Sequence, residues 1–85
     1  MDIYMLKNFT LQEVYFGIAD GETQATVNKH KNNPDSPVGH WKFGKEEIKW
    51  GIVEDGLSEM YANAFIQALR REPQDDGWVV VFGGE

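Results

Sequence analysis

The chain has 85 residues, the length of one domain, and leaves no room for a second independent core. Its 14 acidic residues against 8 Lys and Arg give a formal charge of −6, which disfavours nucleic acid or a nucleotide as partner, since such binders rely on cations meeting phosphates. Cysteine is absent, which excludes disulfides, zinc ribbons, iron–sulfur clusters and thiol nucleophiles together. An aromatic share of 13% indicates a folded domain whose thin core must hold by packing alone.

The first apolar run is Ile3 to Leu6, broken at Lys7-Asn8, and the second is Glu13 to Ala19. Both are rich in aromatic and β-branched residues and the gap is short, so a β-hairpin is expected. Gly17 inside the second run marks a bulge or a close backbone approach. Asp20-Gly21 ends the strand, and Glu22 to about Lys31 suits a modest helix with Ala25, Val27 and His30 turned inward. Asn32 to Pro37 reads as a loop, because two prolines and four turn-forming polar residues cannot continue a helix. A short turn is expected over His40 to Gly44.

Glu47 to Glu54 alternates, with Ile48, Trp50 and Ile52 on one side, and reads as a third strand. Asp55-Gly56 turns the chain, Ser58 suits a helix N-cap and Glu59 complements the helix dipole. Leu57, Met60, Tyr61, Ala64, Phe65, Ala68 and Leu69 then recur at helical steps as far as Arg70-Arg71, with Pro73 as the stop. Gln74 to Gly77 is a turn, and Trp78 to Phe82 a terminal strand or extended segment closed by Gly83-Gly84-Glu85. The order is strand, strand, helix, strand, helix, strand, which describes a single α+β domain over 1–85.

No apolar run reaches the roughly 18 residues of a membrane span, so no membrane association is expected. The opening Met1-Asp2-Ile3-Tyr4 lacks the basic start of a signal peptide, and a cytoplasmic protein is expected. His30 and His40, ten residues apart across a proline loop, have no zinc-ligand spacing, and the doublets Glu46-Glu47 and Asp75-Asp76 read as solvated turn residues. No metal site is expected. The glycines compose no phosphate loop, and neither Ser36 nor Ser58 sits in a nucleophile elbow. Lys29-His30-Lys31 is a small basic strip where phosphate could meet clustered charge. Tyr4 and Tyr15, each in a hairpin strand, either offer phenols to a ligand or pack across the strands as aromatics do.

Asp2-Ile3-Tyr4, followed eleven residues after Tyr4 by Tyr15-Phe16-Gly17, resembles the two-part signature that names the GIY-YIG nuclease superfamily. Lys29 to Asn32 resembles the end of that family's first helix, Ile48 to Glu54 its third strand, Leu57 to Leu69 its long helix, and Asp76 to Glu85 the ending of phage-type homing endonucleases. The resemblance implies a β-hairpin, helix, third strand, long helix and C-terminal extended segment. It also implies metal-assisted hydrolysis of a DNA phosphodiester, with the signature tyrosines, an arginine on the first helix and a glutamate on the long helix. Tyr4 and Tyr15 fall on the tyrosine positions. The arginine position falls on Ala25, Thr26 or Val27 and the glutamate position on Phe65 or Ile66, while Asp2 replaces the leading glycine and Val79 a late asparagine.

Tyr4, Tyr15 and His30 are thus vestigial catalytic residues, and Tyr4, Tyr15, Lys29, His30 and Lys31 form the expected binding set. The expectation is a catalytically degenerate GIY-YIG-like protein, of phage or mobile-element type, that needs no cofactor. It binds or inhibits a host protein such as a nucleic-acid enzyme. Two alternatives remain: an active endonuclease using Mg²⁺ with displaced residues such as Glu54, Glu59 and Lys29, or a nucleotide binder using the old phosphate cleft.

Overall fold

The computed structural model describes residues 1–31, 33, 35–71 and 77–81. In chain order these form strands β1 (Asp2–Asn8) and β2 (Glu13–Ala19), helix α1 (Thr23–Asn28), strand β3 (Ile48–Glu54), helix α2 (Glu59–Arg71) and strand β4 (Val79–Val81). The sheet is mixed, in the order β3-β1-β2-β4. Strand β1 pairs antiparallel with both β2 and β3, and β4 runs parallel to β2. The expected α+β class and element order hold. The expectations for Asn32, Pro34, the stop at Pro73, the turn residues Gln74 to Asp76 and the ending Phe82 to Glu85 lie outside the described residues.

Strand alternation divides the apolar residues between two faces. Tyr4 and Leu6 of β1, with Tyr15 and Ala19 of β2, pack beneath Val27 of α1 and beneath Val38 and Trp41 of the α1–β3 connection. On the opposite face Ile3, Val14 and Phe16 meet Ala62 and Ile66 of α2, with Phe65, Leu69 and Trp78 packed alongside. One helix or loop layer thus covers each face, and the sheet is the central layer.

Strand β1 runs two residues beyond the expected Leu6 because Asn8 closes the hairpin from inside. Its side chain is fully buried, its Oδ1 accepts the backbone N–H groups of Thr10 and Leu11 at 3.0 Å each, and its Nδ2 donates to Glu46. The side chain supplies the partners that a polar residue at this depth needs. Helix α1 is shorter than the expected span to Lys31. Only Thr23 and Val27 are buried along it, Ala25 is exposed, and the chain continues through His30 and Lys31 in turns bonded back to Val27 and Asn28. With one apolar anchor per turn, little holds a longer helix.

Helix α2 begins as expected, Ser58 Oγ accepting the Tyr61 N–H at 3.3 Å. Its buried stripe has a different phase. Ala62, Phe65, Ile66 and Leu69 face the sheet, whereas Met60, Tyr61, Ala64 and Ala68 point outward. Apolar residues occupy more than one face of this helix, so periodicity alone does not select the packed one. Strand β3 places Ile48, Trp50 and Ile52 on one side, opposite Asn8, Leu6 and Tyr4, but as an edge strand it leaves Trp50 41% and Ile52 51% exposed.

Candidate functional site

The two signature tyrosines meet diagonally. Tyr4 pairs with Gly17 and Tyr15 with Leu6, and the Tyr4 ring lies over Gly17 toward Tyr15, with ring centroids 6.3 Å apart. A methyl built on Gly17 would stand 2.9 Å from Tyr4 Cε1 and closer still to Cζ and the hydroxyl. Gly17 thus marks a close approach, of a ring and not of backbone. Its absent side chain is the space that the phenol fills.

His30, at the end of the α1 turns, completes the cluster. Its Nε2 lies 2.7 Å from the Tyr4 hydroxyl and its Nδ1 2.6 Å from Ser36 Oγ. The imidazole ring centroid is 5.3 Å from that of Tyr15. Ser36 Oγ also accepts the Val38 N–H, so serine, histidine and tyrosine form a hydrogen-bonded row running from the loop into the sheet. Burial lowers the His30 pKa and keeps the imidazole neutral. Burial also pushes the Tyr4 phenol well above its ordinary range, with the Tyr15 phenol as a second cause and the Arg70 cation opposing both. Tyr4 is 2% and Tyr15 7% exposed. The Tyr4 ring packs across the strands while its hydroxyl bonds His30.

The expected binding set therefore divides. Tyr4, Tyr15 and His30 come together, while Lys29 and Lys31 on either side of His30 point outward. Lys31 lines a separate cleft of 470 Å³ with Phe43, Gly44, Glu46 and Ile48. The two histidines are also separate, since His40 Nε2 pairs with Glu13 Oε1 at 2.7 Å, where Trp41 Nε1 also donates. Burial alone would raise the Glu13 pKa, but the Trp41 and His40 hydrogen bonds outweigh it and hold the carboxyl low. Among the described residues no three His, Asp or Glu side chains gather around a common point. At the arginine position Ala25 is exposed and Val27 lies in the core, and at the glutamate position Phe65 is half-buried and Ile66 is 3% exposed.

The residues that the sequence reading missed sit on α2. Asn63, Ile66, Gln67 and Arg70 face Tyr15 and Ile18 across a cleft of 370 Å³. Arg70 donates to the Phe16 carbonyl at 3.3 Å, one residue past the β2–β4 pair Tyr15–Val81. Positions 63, 67 and 70 follow helical steps, and that polar spacing on an otherwise apolar helix was a usable signal. Two carboxamides and a guanidinium line this cleft, donors of the kind an oxyanion takes. Asp2, at the leading position of the first triplet, has a structural role: it accepts from Thr23 Oγ1 at 2.8 Å and from the Gly56 N–H at 3.3 Å. It ties the start of α1 to the β3–α2 turn, and these two bonds hold its carboxyl below the ordinary range.

No family model matches this chain, and no curated protein and no solved structure matches it. Among the described residues no helix is long and apolar enough to cross a membrane.

Proposed function

We propose that this chain is a GIY-YIG-like scaffold that acts by binding a protein partner and not by hydrolysing a phosphodiester. The observation that carries this reading is the state of the tyrosine site. The Tyr4 phenol is buried and bonded to His30, and none of the residues where the resemblance asks for a cation (Ala25, Thr26 or Val27) or a carboxylate (Phe65 or Ile66) is charged. A clamping cation and a metal-holding carboxylate each contribute on the order of 3 kcal/mol to stabilising such a transition state. The net charge of −6 supports a partner with a basic surface, such as the nucleic-acid channel of a host enzyme, which this protein would occupy as a cytoplasmic inhibitor of phage or mobile-element type. Incubation with supercoiled plasmid and Mg²⁺ or Mn²⁺ tests the reading. No nicking is expected, and nicking that disappears in Tyr15→Phe would overturn it.

One observation favours a second reading. Arg70 of α2 lines a cleft that Tyr15 also lines, so a cation is present even though it is not on α1. That supports a cleft that captures phosphate, as a nucleotide binder or as an endonuclease with displaced residues that would also require Mg²⁺. A thermal-shift panel of nucleotides separates this reading from the first. Stabilisation by a nucleotide that is lost in Arg70→Met supports phosphate capture.

A further inference from the structure

Helix α2 carries more apolar surface than it buries. Ala62, Phe65, Ile66 and Leu69 lie against the sheet, yet Met60 is 84% and Tyr61 58% exposed, with Ala64 exposed one turn on. The Tyr61 ring is stacked on Phe65, with centroids 6.3 Å apart and planes at 30°, a contact that limits the rotamer freedom it would lose on binding. Met60 beside it is an unbranched thioether able to fit an irregular surface. An aromatic anchor next to an adaptable methionine is the usual centre of a binding patch.

The charges around this patch decide its occupant. Glu54 at the end of β3, Asp55 in the turn after it and Glu59 at the start of α2 are all exposed. The sequence from Trp50 to Leu69 contains no Lys or Arg. The Met1 amine donates to the Leu57 carbonyl at 2.6 Å, and the exposed Arg71 lies at the far end of the helix. A second copy meeting the patch isologously would set these carboxylates against themselves, with −6 on each chain, and like charges at a contact are unfavourable. Nucleic acid and anionic lipid are repelled in the same way. We infer that the outward face of α2, centred on Met60 and Tyr61 and rimmed by Glu54, Asp55 and Glu59, docks a basic amphipathic segment of a partner protein. This inference rests on the proposed binding function and names the surface that performs it.

The test uses the full chain labelled with ¹⁵N and three short helical peptides as probes: Lys/Leu amphipathic, Lys/Ser of equal charge, and Glu/Leu. The Lys/Leu peptide is expected to bind with shifts concentrated from Glu54 to Ala64, and the other two to bind about tenfold more weakly or not at all, a difference of about 1.4 kcal/mol. Met60→Gln with Tyr61→Gln should weaken the Lys/Leu peptide about tenfold while lowering the urea midpoint by about 1 M at most, the share of the Tyr61–Phe65 ring contact. Asp55→Asn with Glu59→Gln should flatten the salt dependence. Equal binding of the Lys/Ser peptide, undiminished binding to the Met60/Tyr61 variant, shifts centred elsewhere, or a dimer in sedimentation that this variant abolishes would each overturn the inference. The plasmid assay is independent of this one: nicking refutes the non-catalytic reading, whereas failed docking without nicking refutes only the surface assignment.

Discussion

Replacing Gly17 by alanine probes how firmly the Tyr4 ring is held. The glycine lies in β2 with no left-handed backbone angle, so the substitution is a question of space and not of conformation. The added methyl overlaps the outer end of the Tyr4 ring. That ring cannot swing aside cheaply, because its hydroxyl is bonded to His30, its edge faces Tyr15 and almost none of it is exposed. Overpacking of this kind costs about 1–3 kcal/mol, and a displaced phenol loses a further hydrogen bond of about 1 kcal/mol. The stiffer unfolded chain returns only about 0.4–1 kcal/mol, leaving a net loss of about 1–3.5 kcal/mol from a total of roughly 4–13 kcal/mol for a chain of this length. With a urea slope near 1 kcal/mol/M, the unfolding midpoint should fall by about 1–3.5 M. In a Tyr4→Leu background the ring is gone, and Gly17→Ala should then cost less than about 1 kcal/mol. An equal cost in both backgrounds, or a midpoint shift below about 0.5 M in the parent, would refute the steric account.

The His30 imidazole makes stability depend on pH. Its folded pKa is lowered by burial, so the unfolded chain takes up the proton first, and its contribution is full above about pH 6.5 and declines as pH falls below it. The urea midpoint should therefore drop between about pH 7.5 and pH 5.5, and His30→Gln should remove that part of the slope. Asn8→Ala leaves two N–H groups of the hairpin loop without their partner, and leaves Glu46 Oε1 with the Lys42 N–H alone, and should cost about 2–3 kcal/mol in urea unfolding. Tyr4→Phe removes the phenol from His30 while keeping the ring, and should cost about 1–2 kcal/mol. In NMR spectra that variant should also shift the His30 ring protons more than those of His40, which is bonded to Glu13.

The hairpin, the third strand and the long helix were legible because each carries its own period or cap. Alternation marks β1, β2 and β3, and Ser58 marks the start of α2. The face that α2 buries was not legible, because Met60, Tyr61, Ala64 and Ala68 compete with Ala62, Phe65, Ile66 and Leu69 on the same helix, and only contact with the sheet decides between them. The spacing of Tyr4, Tyr15 and Gly17 anticipated one cluster, and His30 joins it. Lys29 and Lys31 do not, since successive residues in a turn point different ways. Arg70 comes from an element distant in the sequence: its helical step from Asn63 and Gln67 was legible, but that this row would line a cleft with β2 was not, since only tertiary packing sets it. Asn8 was visible only as a break in an apolar run, although its side chain organises the loop.

Strand β3 has one neighbour in the sheet among the described residues, and its exposed apolar side chains are Trp50 and Ile52. Lys49 in its middle, and the extra residue Val53 where the register shifts between Ile3 and Tyr4, are the ordinary guards of an open edge. Mutual repulsion between chains carrying −6 adds a third, and only this one varies with solvent. Near pH 4.8 the net charge vanishes, and the edge is left to its lysine and its bulge alone. Loss of material on acidification should then come from strand-to-strand association through β3 while the domain is still folded. A second lysine in place of Ile52 would keep the protein in solution at that pH.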